Sequence, residues 1–434
     1  MNLTPEQMEL GRRNFLKVLA GTPAMAALGA AAALRGPAPG GRVRIAFIGV
    51  GSQGRAQLTN VDPGYGDVRA LCDINPAQLK LADGVLAKNG MPPARHYGDW
   101  REMLQKEDVE AVIMAPPLWA HAELAVGCLD AGKHVLCEKM MAWDLASCER
   151  MRAAALRNDR VLEIGYQRNH NPMYQAAYDG IVKAGVLGDI YHVRLAWHRN
   201  GSWRRKAEPP SPDYNPSQWG YPTFDHLINW RLYWKYSQGL MAELCSHQVN
   251  AANWFLGSSP DAVIASGGLY RFPENREVYD HVYVTFEYPG GRTAVFSSVE
   301  SNAFDDYYEM YMGTKGTLIM LREREALLFE EGGSGRQTGI EVTPAGKGAA
   351  AQSSETMAAN TNQSATRAVT TPSAGGDAAA RPSATRLQMR RFCSAIRVGM
   401  PLACGPDKAI GSARACIGAN EAIKTKARVN LRTT

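Results

Sequence analysis

A glycine pattern lying directly behind a short apolar strand constrains this chain more than any other feature. Val43 to Val50 (VRIAFIGV) is apolar and β-branched, as a strand buried on both faces is. Gly49-Val50-Gly51-Ser52-Gln53-Gly54 ends that run and leads into a helix-like stretch, Ala56 to Val61. In such a strand–turn–helix the first glycine permits the tight turn. The second lets a pyrophosphate approach the backbone, and the third lets helix and strand pack closely. The unpaired N–H groups and partial positive charge of the helix N-terminus favour phosphate. Ser52 and Gln53 therefore join Gly49, Gly51 and Gly54 as expected dinucleotide contacts. A second strand, DVRALCD, ends at Asp73, nineteen residues beyond Gly54. A carboxylate there accepts hydrogen bonds from ribose hydroxyls and repels a 2′-phosphate, and Ile74 and Asn75 supply no compensating cation. NAD is expected in preference to NADP.

Similar apolar runs recur at Ala111 to Pro116, His134 to Lys139 and Val161 to Gln167. Helix-like stretches over Asn75 to Lys88, Asp99 to Gln105, Ala120 to Ala131 and Asp144 to Arg157 alternate with them. This predicts an α/β fold whose first domain, residues 42–165, is a doubly wound parallel sheet. The pattern then changes. Asp280 to Tyr288 alternates, with Val282, Val284, Phe286 and Tyr288 on one face, and Gly290-Gly291 turns the chain into Arg292 to Glu300. An open, largely antiparallel sheet is expected in a substrate and oligomerisation domain over residues 166–434. Within it, residues 332–384 read as a low-complexity loop and 386–425 as closing helices.

The net charge of +6 is spread along the chain with no dense basic block, so nucleic acid is not an expected partner. The eight cysteines show no CxxC pair and no regular spacing, which argues for neither a disulfide framework nor a metal site. Residues 1–41 stand apart: Arg12-Arg13 precedes the weakly apolar run Val18 to Leu34, and a Pro/Gly linker follows. This reads as a twin-arginine export signal, with small residues for cleavage at Ala30 to Ala33. The run is short and rich in small residues for a stable membrane span. That route carries folded proteins, as a chain that loads a dinucleotide before leaving the cytoplasm requires, so a periplasmic or otherwise exported location is expected.

Three further segments matter together. Ala115-Pro116-Pro117-Leu118-Trp119-Ala120-His121 follows one strand, Cys137-Glu138-Lys139-Met140 ends the next, and Glu243-Leu244-Cys245-Ser246-His247 lies in a helix-like stretch. With the glycine pattern they resemble the glucose–fructose oxidoreductase, inositol dehydrogenase and rhizopine-catabolism (Gfo/Idh/MocA) family. The resemblance implies a Rossmann domain followed by an α/β domain, with Lys139 as catalytic lysine, Glu243 and His247 as an acid–histidine pair, and Pro117, His121, Glu138 and Lys139 beside the cofactor. The residues themselves agree. Ligands of an open parallel sheet lie beyond the carboxyl ends of its strands, where Lys139 falls. Glu243 and His247, four apart, share one face of an α-helix, and an imidazole suits a general base. The family's usual proline after the lysine is Met140 here.

Arg168, His170, Trp203, Arg231 and Asn250 are the expected substrate contacts: Arg168 and His170 follow the sixth strand, Asn250 lies one helical turn past His247, and Trp203 and Arg231 stand in a run of tryptophans and tyrosines over residues 197–236 that suits a sugar ring. The leading expectation is an NAD(P)-dependent oxidoreductase of a sugar or polyol, working as a homo-oligomer. The alternatives are a redox-assisted glycoside hydrolase that oxidises, eliminates, hydrates and reduces, and a non-catalytic sugar-binding relative.

Overall fold

The computed structural model describes residues 3–20, 22, 38–331 and 383–432. Most of the expected signal core, its cleavage segment, and the low-complexity stretch up to residue 382 lie outside the described residues.

The first sheet comprises β1 (Val43–Ile48), β2 (Gly66–Cys72), β3 (Arg95–Tyr97), β4 (Ala111–Met114), β5 (His134–Cys137) and β6 (Leu162–Ile164), in the order β3-β2-β1-β4-β5-β6. Every pairing is parallel. The connecting helices are α1 (Pro5–Leu19) upstream, then α2 (Ser52–Thr59), α3 (Pro76–Lys88), α4 (Trp100–Lys106), α5 (His121–Asp130) and α6 (Leu145–Asn158). Helices cover both faces, which is why β4 is buried along its whole length and its sequence is an unbroken apolar run. The strand order reverses between β1 and β4, and that switch point opens a crevice beyond the strands' carboxyl ends.

The second sheet has eight strands: β7 (Ile190–Trp197), β8 (Ala262–Gly268), β9 (His281–Glu287), β10 (Thr293–Val299), β11 (Tyr307–Gly313), β12 (Gly316–Leu321), β13 (Glu325–Glu330) and β14 (Val429–Asn430), in the order β13-β12-β11-β7-β10-β9-β8-β14. Only β7 and β10 pair in parallel. The alternation read in β9 is real: Val282, Val284 and Phe286 are buried while Tyr283 is exposed. The remaining α-helices are the short α7 (Pro172–Ala177) and α8 (Phe224–Ile228), then α9 (Ser246–Leu256), α10 (Ala384–Val398) and α11 (Pro406–Thr425). All eight cysteines are buried and free.

Two terminal elements pack in ways that the sequence does not show. Helix α1, which carries Arg12 and Arg13, is docked on β13. Phe15 and Leu19 are buried, a Cβ on Gly11 would meet Leu327 and Phe329, and Arg12 is ion-paired to Glu325. Its start has a capping box, Thr4 with Gln7, and Pro5 at the first helical turn. Helix α10 returns to the first domain: Met389, Phe392 and Cys393 pack with Val43, Ile45 and Phe47. The apolar stripe of α10 is what the first sheet buries, so the last hundred residues do not all belong to the second layer.

Candidate active site

The glycine turn is built as its residues require. Gly49 has φ 79°, and a Cβ on Gly54 would sit 2.0 Å from the Gly49 carbonyl oxygen. At Gly51 a Cβ would meet nothing within 4 Å, so the backbone faces open space where a pyrophosphate fits. Asp73 closes the far side: its carboxylate accepts from the N–H of Val50 and of Asn75, both at 2.8 Å. Burial pushes its pKa up to about 6 against the pull of these N–H groups and Arg55. These residues fit a dinucleotide.

From the turn a cavity of about 1470 Å³ runs toward the second sheet. It is lined by Gly49, Gly51, Ser52, Gln53, Asp73, Pro117, His121, Glu138 and Lys139 of the first domain and by Trp203, Arg231, Glu243 and His247 of the second. Glu138 is buried and accepts from Gln53 Nε2 at 2.8 Å and from the Lys139 N–H at 3.1 Å. His121 is enclosed. Its Nδ1 lies 2.9 Å from the Met140 carbonyl oxygen and its Nε2 3.2 Å from that of Pro116, so it braces the turn that presents Lys139. The Lys139–Met140 peptide is cis.

The Lys139 ammonium donates to the carbonyl oxygens of Ala242 at 3.0 Å and Glu243 at 2.9 Å. Those carbonyls belong to a turn of π-helix, Met241–Cys245, that precedes α9. A π turn shifts the helical hydrogen-bond ladder by a residue and recurs at functional sites. Burial lowers the Lys139 pKa, opposed by the charges of Glu243 and Glu138. His247, in the first turn of α9, is buried, with its ring 5.6 Å from that of Trp197 and 6.1 Å from that of Tyr166. Its Nδ1 has no hydrogen-bond partner among the described residues. Burial first, then the charges of Lys139, Arg168 and Arg199, hold its pKa well below the ordinary value.

Several expectations are corrected. Glu243 does not orient His247; its carboxylate accepts from Arg231 Nε at 2.6 Å, because the π turn rotates it away from the simple four-residue helical pairing. Arg168 is not a substrate contact. It is buried, ion-paired to Glu309 and at 2.9 Å to Glu323, and lies beneath Trp197. His170 turns inward to Glu163 at 2.9 Å, and Asn250 bonds Asn169 at 2.7 Å and Ser412 at 3.0 Å. All three are taken up inside the fold, since a buried polar group needs a partner and each finds it away from the cavity.

Unforeseen contributors come from residues 199–221, which cross from the second domain over the glycine turn. Arg205 Nη2 lies 3.3 Å from Ser52 Oγ, Tyr214 donates to the Ile74 carbonyl oxygen at 3.1 Å, and Trp119 Nε1 donates to Tyr221 at 2.8 Å. The aromatic richness of this stretch is visible in sequence; its path across the cofactor groove is not.

Two family models match the chain: an oxidoreductase family, NAD-binding Rossmann fold, over residues 43–166, and the GFO/IDH/MocA C-terminal domain over residues 176–319. An inositol 2-dehydrogenase of Salmonella paratyphi B is 32% identical over 183 residues, which are 42% of this chain and 50% of that protein. A glycosyl hydrolase family 109 protein of Shewanella baltica is 28% identical over 183 residues, 37% of this chain and 39% of that one. The chain thus matches half or less of the length of these relatives. A solved levoglucosan dehydrogenase, in complex with NADH and levoglucosan, has a TM-score of 0.66 at 18% identity, covering 90% of this chain and 100% of that one, and shares the fold.

Proposed function

Because this chain belongs to the Gfo/Idh/MocA oxidoreductases and carries their NAD-binding Rossmann domain, we propose that it transfers a hydride between a hydroxyl-bearing carbon of a sugar or polyol and a firmly held NAD. The observation that carries this reading is the convergence of Lys139 and His247 on one cavity continuous with the glycine turn. When bound, the nicotinamide supplies or accepts the hydride. Lys139, pinned by two backbone carbonyls, holds the substrate oxygen. His247, kept neutral by its surroundings, takes the hydroxyl proton as the carbon is oxidised and returns it in the reverse direction. Glu243 neutralises Arg231 and tempers Lys139. The polyol and sugar substrates in the names of the relatives support this class. The test is to assay purified protein for bound NAD and then follow cofactor reduction by a panel of sugars. Protein that neither contains nor takes up a pyridine nucleotide defeats the reading.

A second reading, redox-assisted glycoside hydrolysis, is favoured by the strap of residues 199–221 over the cofactor groove and by the family 109 relative. An enclosed NAD must be regenerated within each turnover. Release of aglycone from aryl glycosides without added NAD would support it. Net cofactor reduction without such release would exclude it.

We also propose export by the twin-arginine route and a homo-oligomer. Arg13 remains exposed on α1. The open face of the second sheet carries Ile264, Thr285, Val295, Arg194 and Met310 side by side, an apolar-rich row available to a second copy. Cell fractionation of wild type against R12K/R13K tests the first, and crosslinking the second.

A further inference from the structure

Arg199 follows the carboxyl end of β7 and projects into the cavity that Lys139 and His247 line. Its backbone is fixed: its N–H donates to the Val299 carbonyl oxygen at 2.9 Å, and its own carbonyl accepts from the Asn302 N–H at 2.9 Å. Its guanidinium carbon lies 5.4 Å from the ring centroid of Trp197 and 5.7 Å from that of Trp203. Cation–π attraction places the side chain but leaves all five donors free. No hydrogen bond or ion pair engages the guanidinium among the described residues. The carboxylates that its charge feels are ion-paired elsewhere: Glu243 with Arg231 at 2.6 Å, and Glu300 with Arg276 at 2.5 Å. Lys139 lines the same cavity.

An unpaired guanidinium held against aromatic faces is a planar fork for an oxyanion. The indole of Trp197 bridges it to His247, whose ring is 5.6 Å away. A hydroxyl at His247 and an anionic group at Arg199 therefore fit one molecule of monosaccharide size. We infer that the substrate is an anionic sugar, a uronate, aldonate or sugar phosphate, whose charged group is bound by Arg199. This rests on the proposed sugar reading and narrows its substrate class.

The test titrates the holoenzyme, followed by the fluorescence of its bound NADH, with D-glucuronate, D-galacturonate, D-glucose 6-phosphate and the neutral D-glucose and D-galactose. At least one anion should bind about 10–100-fold more tightly than its neutral counterpart, the span expected for a charge-assisted contact. A preference for the uronates identifies a carboxylate, and one for the phosphate a phosphoryl group. The preference should vanish in R199Q and survive in part in R199K. Equal or stronger binding of the neutral sugars, no binding by any of the five, or a preference unchanged in R199Q overturns the inference. The wild-type comparison decides even if R199Q does not fold. Missing NAD or missing hydride transfer in the wild type would instead strike the proposed function, and both are read separately from anion preference.

Discussion

Lys139 Nζ donates to the carbonyl oxygen of Glu243 at 2.9 Å, while the carboxylate of the same Glu243 accepts from Arg231 at 2.6 Å. The lysine is thus positioned by helix backbone, and the acid acts on it only through space. Replacing Lys139 by Ala should lower kcat/KM for hydride transfer about 10²–10⁴-fold, the usual worth of a positioned proton-handling group. Bound NADH fluorescence should persist, because the glycine turn and Asp73 are untouched. K139R should not rescue: a guanidinium stays charged and has a different shape from the ammonium that two carbonyls hold. Unchanged turnover in K139A would remove the lysine from the chemistry.

His247 makes the pH dependence predictable in sign. Its folded pKa is held below the ordinary value near 6.5, chiefly by burial and then by Lys139, Arg168 and Arg199. A general base works when unprotonated, so kcat/KM for oxidation should stay level from neutrality through pH 6.5 and fall only further down. Removing the Lys139 charge should move that acid limb upward, measurable in the residual activity of K139M. Folding stability follows the same group. Its contribution is complete above the unfolded value near 6.5 and is lost as pH falls toward the lower folded value, because the unfolded chain takes up the proton first.

Asp73 should set cofactor choice. Its carboxylate is aimed by two backbone N–H groups, and D73S would remove the acceptor for the ribose hydroxyls together with the charge that repels a 2′-phosphate. NAD affinity should fall about 10–100-fold, the loss expected for hydrogen bonds to a charged group, while NADP affinity rises. Equilibrium titration of stripped protein with both nucleotides checks the opposite signs.

Arg205 offers a contrasting case on the second domain. Its guanidinium reaches Ser52 at the first residue of α2, beside the backbone that faces the expected pyrophosphate. R205A should speed NADH release about tenfold or more, consistent with loss of one charge-assisted contact. Stopped-flow displacement of NADH should show this with little change in the rate of a single hydride transfer. A release rate equal to wild type would show that the strap does not retain the cofactor.

What the sequence made legible follows from how local each signal is. The glycine turn, Asp73 and Lys139 lie at strand ends, and apolar runs locate strand ends well. His247 was found because its motif sits in an otherwise apolar helix. Arg168 and His170 were misplaced for a physical reason: both lie in the 3-10 turn Gln167–His170, which sends them inward, Arg168 to Glu309 far along the chain and His170 to Glu163 in the strand just before. Glu163 inside an apolar strand was a signal that some buried partner must exist, but not which one. The π turn at Met241–Cys245 has no signature in a 3.6-residue period, so the separation of Glu243 from His247 could not be read. The Thr4–Gln7 capping box marks an ordered start to helix α1, but its docking on β13 joins residues more than three hundred apart and has no local signature.

Arg168 shows how a buried ion pair supports this site from below. Its side chain is 1% exposed, as is that of its partner Glu309, and its guanidinium carbon lies 5.3 Å from the ring centroid of Trp197, the residue that flanks His247. Removing Arg168 leaves Glu309 buried with its charge unpaired, held by the hydroxyl of Tyr174. R168M should therefore destabilise the fold by about 3–5 kcal/mol, read as a shift in the urea midpoint with little change in its slope. Removing both charges in R168M/E309Q should recover much of that loss, because the desolvation cost disappears with the attraction. The double variant should keep its preference among sugars, since neither residue reaches the cavity. Equal loss in the single and double variants would show that packing beneath Trp197, not the charge pair, carries the stability.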